Sequence, residues 1–163
     1  MSDNRQLVET FYQAFQRRDY QAMGECYHHN VVFNDPVFTN LVGWQARAMW
    51  RMLCERGKDL ELTYSDVESS GSTGSARWEA RYTFSATGRP VHNRISAHFE
   101  FADGKIKRHT DSFDLQAWMG MAMGAKGKLL GWLPPVQNAV KSKAMAGLAA
   151  YIAKHNLSAA DFP

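Results

Sequence analysis

The sequence predicts an α+β fold in which helices cover one face of a curved antiparallel sheet. Apolar residues recur at helical spacing between residues 4 and 55. From Leu60 onward the period changes to two, the alternation of a strand with one face buried. Asp103-Gly104 then sits between two alternating runs, the strongest short hairpin signal available. Helices segregated from an antiparallel meander define the α+β class.

Leu7, Val8, Phe11, Tyr12 and Phe15 share one face of a first helix. Asp19 caps a second, short helix that carries Tyr20, Met23, Cys26 and Tyr27 and is expected to end near His28-His29-Asn30. The two histidines are then surface or capping groups. Val31-Val32-Phe33 is a short strand closed by Asn34-Asp35-Pro36, and a residue before proline is pushed to extended geometry. Asp35 is therefore expected at a strand end or in a loop. A third helix runs from about Trp44 to Glu55, with Ala46, Met49, Trp50 and Leu53 on one face and Gly57 ending it.

Leu60, Leu62 and Tyr64 begin the strands. Residues 69–74 are a loop by composition. Ala76, Trp78, Ala80, Tyr82 and Phe84 follow in the cleanest strand, and residues 87–90 turn it back. In the opening arm of the hairpin, Ile95, Ala97, Phe99 and Phe101 alternate with Arg94, Ser96, His98 and Glu100. In the returning arm His109, Asp111 and Phe113 share one face. If that face is concave, a histidine and a carboxylate lie inside a pocket, an arrangement that costs free energy unless the groups are paired. His92 and His98 fall on the opposite face, where dimer packing is expected. Residues 115–133 are rich in Met, Gly and Trp, Pro134-Pro135 interrupts them, and residues 136–152 form a further helix. The expected layout is a domain over residues 1–115 and a C-terminal helical extension, 116–163, packed on it.

The composition, 45% hydrophobic and 21% charged over 163 residues, is that of a globular chain able to bury its own core. A net charge of +3 with no run of basic residues gives no nucleic-acid footprint. Cys26 and Cys54 lack metal-ligand spacing and are expected as small buried hydrophobes. The polar start MSDNRQLVE has no signal-peptide core, which makes a reducing cytoplasm the expected location. The longest apolar stretch is broken by Lys126 and Lys128 and is too polar to span a bilayer. No zinc or iron spacing, GxGxxG, Walker or GxSxG motif occurs, so no metal or cofactor is expected.

The segments LVETFYQAFQRRD, VVFNDPVF and AHFEFADGKIKRHTDSFD resemble the SnoaL-like and ketosteroid-isomerase-like branch of the nuclear transport factor 2-like superfamily, over about residues 5–115. The resemblance implies a cone-shaped α+β barrel (cystatin-like, NTF2-like), with N-terminal helices cupped in a strongly bent sheet. It also implies a homodimer through the sheet's outer face. Ketosteroid isomerases place a general-base aspartate in an Asp-Pro-Val step, matched here by Asp35-Pro36-Val37. Their oxyanion hole needs a tyrosine and a protonated aspartate, a carboxyl kept neutral by its apolar site. Those positions fall on Phe11, one residue before Tyr12, and on Ala97. Losing one such donor typically costs about two to three orders of magnitude in rate, so ordinary steroid isomerisation is not expected. Against limonene-epoxide hydrolases, Asp111 is kept, but Trp78 and Ala80 stand where the other two catalytic residues belong.

Asp35, His109 and Asp111 are therefore the expected catalytic groups, in a pocket with Phe11, Phe33, Trp50, Trp78, Tyr82, Ala97, Phe99 and Phe113 as the substrate-binding wall. A carboxylate among aromatic rings has its ionised form disfavoured, which makes it a usable acid or base. The expected function is binding of a small apolar molecule, with cofactor-free acid–base chemistry upon it: isomerisation, dehydration, cyclisation or epoxide opening. Non-catalytic ligand binding and protein association are the alternatives.

Overall fold

In the computed structural model, which describes residues 2–163, helix α1 (Ser2–Gln16) buries Val8, Phe11, Tyr12 and Phe15. Helix α2 (Tyr20–Glu25) starts at Asp19, whose side chain accepts the Ala22 N–H. It ends earlier than its spacing predicts. Strand β1 (Tyr27–Asn34) already includes His28 and His29, so the histidines do not terminate a helix. Tyr27 and Val32 pair with β6, and a bulge between them breaks the alternation. His28 is buried, its Nε2 3.1 Å from the Asp103 carboxylate.

The short strand β2 (Leu41–Val42) pairs with β1, and helix α3 (Trp44–Arg56) follows, burying Ala46, Met49, Trp50 and Cys54. Strands β3 (Glu61–Ser70), β4 (Thr73–Phe84), β5 (Arg89–Ala102) and β6 (Lys105–Ser112) complete the sheet. The described residues form six strands in the order β2-β1-β6-β5-β4-β3, antiparallel except for β1 against β6. Asp103 (φ 55°) and Gly104 (φ 72°) supply the two left-handed positions that a two-residue hairpin turn needs. Residues 69–74 are not a loop. Ser70 pairs with Thr73, and only Gly71 and Ser72 lie between the strands.

On β5, Ile95, Ala97, Phe99 and Phe101 face the core, while Arg94, His98 and Glu100 face water. On the outer face Glu79 meets His92 and Arg94, and Glu100 meets Arg108. Helix α4 (Leu115–Met123) is capped by the Asp114 side chain. It crosses the β4–β5 turn, where the Thr87 hydroxyl donates to the Ala122 carbonyl and Arg89 Nε to that of Met121. Gly124 separates α4 from α5 (Ala125–Leu130). Helix α6 (Pro134–Lys154) begins on the two prolines, which the first turn tolerates because its N–H groups have no partners there. It reaches α3 through the Tyr151 hydroxyl, which donates to Glu55.

Gly74 sits at a close contact within the sheet. A Cβ there would stand 2.9 Å from both the Glu68 carbonyl oxygen and the Phe101 ring. Gly147, within α6, has open space around it. Urea unfolding should show Gly74→Ala destabilising by about 1–3 kcal/mol through overpacking. Gly147→Ala should stabilise by about 0.5–1 kcal/mol through helix propensity.

Candidate functional site

Inside the cone, strands and helices bring together most of the side chains expected at a site. His109 is fully buried and Asp111 is 4% exposed. The His109 Nε2 lies 2.8 Å from Asp111 Oδ1, and its Nδ1 lies 2.7 Å from the Tyr27 hydroxyl. Trp50 Nε1 donates to that same hydroxyl at 2.8 Å, and Trp78 Nε1 reaches Asp111 Oδ1 at 3.4 Å. An indole only donates, so the Tyr27 hydroxyl oxygen accepts from Trp50; the same hydroxyl shares a hydrogen bond with His109 Nδ1, and His109 Nε2 shares one with the Asp111 carboxyl. Four elements are tied together this way: β1, α3, β6 and β4.

The aromatic wall closes around this chain. Phe99, Phe33, Phe11 and Trp50 hold ring centroids 4.6, 5.0, 5.5 and 6.1 Å from that of His109. Ala97 pairs with Asp111 across the β5–β6 ladder and is fully buried. Phe15 fills the space between Trp50 and Trp78. Burial holds the Tyr27 and Tyr12 hydroxyls well above their ordinary range, and the Asp111 charge adds to both shifts. Tyr12 is the neighbour of the position where the isomerase tyrosine would fall. Its hydroxyl is buried without a partner among the described residues.

Asp35, Tyr82 and Phe113 lie at the rim, each half-buried. Asp35 stands in the loop after β1, where Oδ1 accepts the N–H groups of Val37 at 2.7 Å and Phe38 at 2.6 Å. Its Oδ2 has no partner among the described residues. Burial pushes the Asp35 carboxyl up to about 6, against those two N–H bonds; the Asp111 charge adds to the rise and His109 opposes it. Tyr82 accepts the Trp118 Nε1–H at 2.8 Å, which leaves its own O–H undonated. Its hydroxyl is raised by burial, and the Asp35 charge adds to that shift. The rim thus holds a carboxyl oxygen free to take a proton and a phenol free to donate one.

Two contributors lay beyond the sequence pattern. Tyr27 sits at helical spacing from Tyr20 and Met23, which hid its place on β1. Trp118 acts through a bond to a residue 36 positions away. No group of three or more His, Cys, Asp or Glu among the described residues could hold a metal ion. No described helix is long and apolar enough to cross a membrane.

A bent sheet cupping helices around a polar-cored aromatic interior is the cone of the NTF2-like proteins. A SnoaL-like domain model matches residues 8–109, and the chain belongs to that family. Solved structures agree at the level of fold. TerC, co-crystallised with polyporic acid, is 17% identical, with a TM-score of 0.63 over 73% of this chain and 97% of its own. An NTF2-like protein from Burkholderia pseudomallei is 21% identical, with a TM-score of 0.61 over 70% and 92%. An LEH-like epoxide hydrolase from M. tuberculosis is 17% identical, with a TM-score of 0.60 over 82% and 97%. No curated protein matches the chain in sequence.

Two predictions follow from the site. Tyr27→Phe leaves buried Trp50 Nε1 and His109 Nδ1 unpaired and should lower stability by about 1–3 kcal/mol in chemical unfolding. The Asp35 carboxyl is raised in the folded state, from 3.8 to about 6. Between those values the folded chain binds more protons than the unfolded one, so its stability falls as pH rises through that window. Asp35→Asn keeps an acceptor for Val37 and Phe38. Melts from pH 4 to 8 should show that slope weakened and the variant more stable than the parent at pH 7.

Proposed function

We propose that the chain binds a small, largely apolar organic molecule at the rim of the cone and moves a proton on it by cofactor-free acid–base chemistry. The carrying observation is the state of Asp35. Its Oδ1 is held by two backbone N–H groups and its Oδ2 is uncommitted, while its carboxyl titrates near neutrality at about 6. Those properties suit a general base. Tyr82 is the matching acid or oxyanion donor, within electrostatic reach of Asp35. His109 and Asp111 act on Asp35 through their charges. Phe113 and Tyr82 meet the ligand, with Phe11, Phe33, Trp50, Trp78, Ala97 and Phe99 as the wall behind it. The polyporic acid complex of TerC and the epoxide hydrolase among the fold neighbours support a small organic ligand of this kind.

Ligand binding without turnover is the second reading, and one observation favours it. The His109–Asp111 pair already has its partners inside the protein, which is how a structural network looks.

Mass-spectrometric turnover assays on a panel of epoxides and enolisable polycyclic ketones separate the two. The acid–base reading expects kcat/KM to rise with pH through about 6 and then level off. It also expects Asp35→Asn to lose at least about a hundredfold in kcat while thermal-shift binding of the ligand persists. Undiminished turnover in that variant removes Asp35 as the base. Binding with no turnover by the parent protein leaves the second reading.

A further inference from the structure

The net charge of the chain is +3, and its C-terminal segment alone carries more positive charge than that. Residues 115–160 contain five lysines and no Asp or Glu. On this acid-free segment the chain also exposes its largest apolar side chains. Leu129 is 71% exposed, Trp132 61% and Leu130 38%, all within four residues, and Lys126 and Lys128 precede them in water. Apolar area left in water costs roughly 25 cal/mol per Å², so an exposed tryptophan between two leucines and two prolines calls for an occupant.

The patch is held on a fixed support. Gly127 is buried so closely against α4 that a Cβ there would come within 2.2 Å of the Met119 carbonyl oxygen. That contact turns one side of α5 inward and leaves the opposite side, with Leu129, outward. The carbonyl of Gly131 accepts from Gln137 Nε2 at 2.7 Å, which ties the turn carrying Trp132 to the first turns of α6. An exposed tryptophan with leucines, bordered by lysines on a segment with no carboxylate of its own, is the combination that enters the headgroup region of an anionic bilayer; Asp114 lines a cleft with Lys128, and Arg89 lines the same cleft.

We propose that α5 and the turn into α6 form a peripheral docking surface for anionic lipid. Trp132 and Leu129 insert among the acyl chains near the headgroups, and Lys126 and Lys128 pair with lipid phosphates or carboxylates. Charge complementarity selects the lipid: acidic surfaces attract the segment, and nothing on it repels them. The inference is independent of the reaction at Asp35.

Co-sedimentation of the full chain with phosphatidylcholine vesicles, with and without about 30% phosphatidylserine, tests it. Binding should be at least about tenfold stronger to the acidic vesicles and should weaken as salt shortens the Debye length. Each lysine contributes about fivefold at an anionic surface, so Lys126→Gln with Lys128→Gln should reduce binding by about 25-fold. Leu129→Ser with Trp132→Ser should lose at least about tenfold. All four side chains are exposed, and unchanged thermal melts confirm that the variants fold. Equal binding to both vesicle types, or variants that bind like the parent, overturns the proposal. So does self-association in place of vesicle binding, abolished by Trp132→Ser, because a second copy then covers the patch.

Discussion

The hydrogen-bonded chain Trp50–Tyr27–His109–Asp111 is the constraint on which the rest of the cone depends. A buried histidine next to a buried carboxylate is tolerable only when every polar atom finds a partner. Satisfying this pair fixes more than itself. Tyr27 must leave the helix register for its hydroxyl to reach Nδ1, and that commits β1 to lie parallel beside β6. Trp50 must present its indole N–H, which sets the rotation of α3. The rings that seal the network from water, above all Phe11, Phe33 and Phe99, are the same rings that make the hydrophobic core.

How much of this could be read beforehand depended on whether a residue's role is local. The alternation of β5, the Asp103-Gly104 turn and the sidedness of His109 and Asp111 are properties of neighbouring residues, and the sequence shows them directly. Asp35 is legible for the same reason, since a proline fixes its neighbour's backbone. Tyr27 and His28 are not. Their spacing satisfies a helix as well as a strand, and the choice is made by partners far along the chain, His109 and Asp103. The polar run at residues 69–74 misled in the opposite sense. Its composition reflects exposure at the end of β3 and β4, and the ladder from Ser70 to Thr73 closes it into a tight turn. The Tyr82–Trp118 bond has no sequence signature, because it joins residues 36 positions apart on different elements.

Inside the cone, Trp50, Tyr27, His109 and Asp111 find their partners within the protein, which favours rigidity over reaction, while the Tyr12 hydroxyl stays unpartnered among the described residues. At the rim, Asp35 is half-buried with one oxygen uncommitted, and its folded state is less stable above pH 6 than a neutral isostere would allow. Side chains that lower stability persist where function requires them. His109 and Asp111 sit within electrostatic reach of Asp35 and push it in opposite directions. The interior network therefore both holds the sheet together and tunes the Asp35 carboxyl at the rim.

Helix α4 links that rim to the C-terminal surface. Its Trp118 braces Tyr82, its carbonyls hold the β4–β5 turn, and its other side receives Gly127 of α5. One helix of nine residues therefore touches both the rim phenol and the support of the exposed apolar patch.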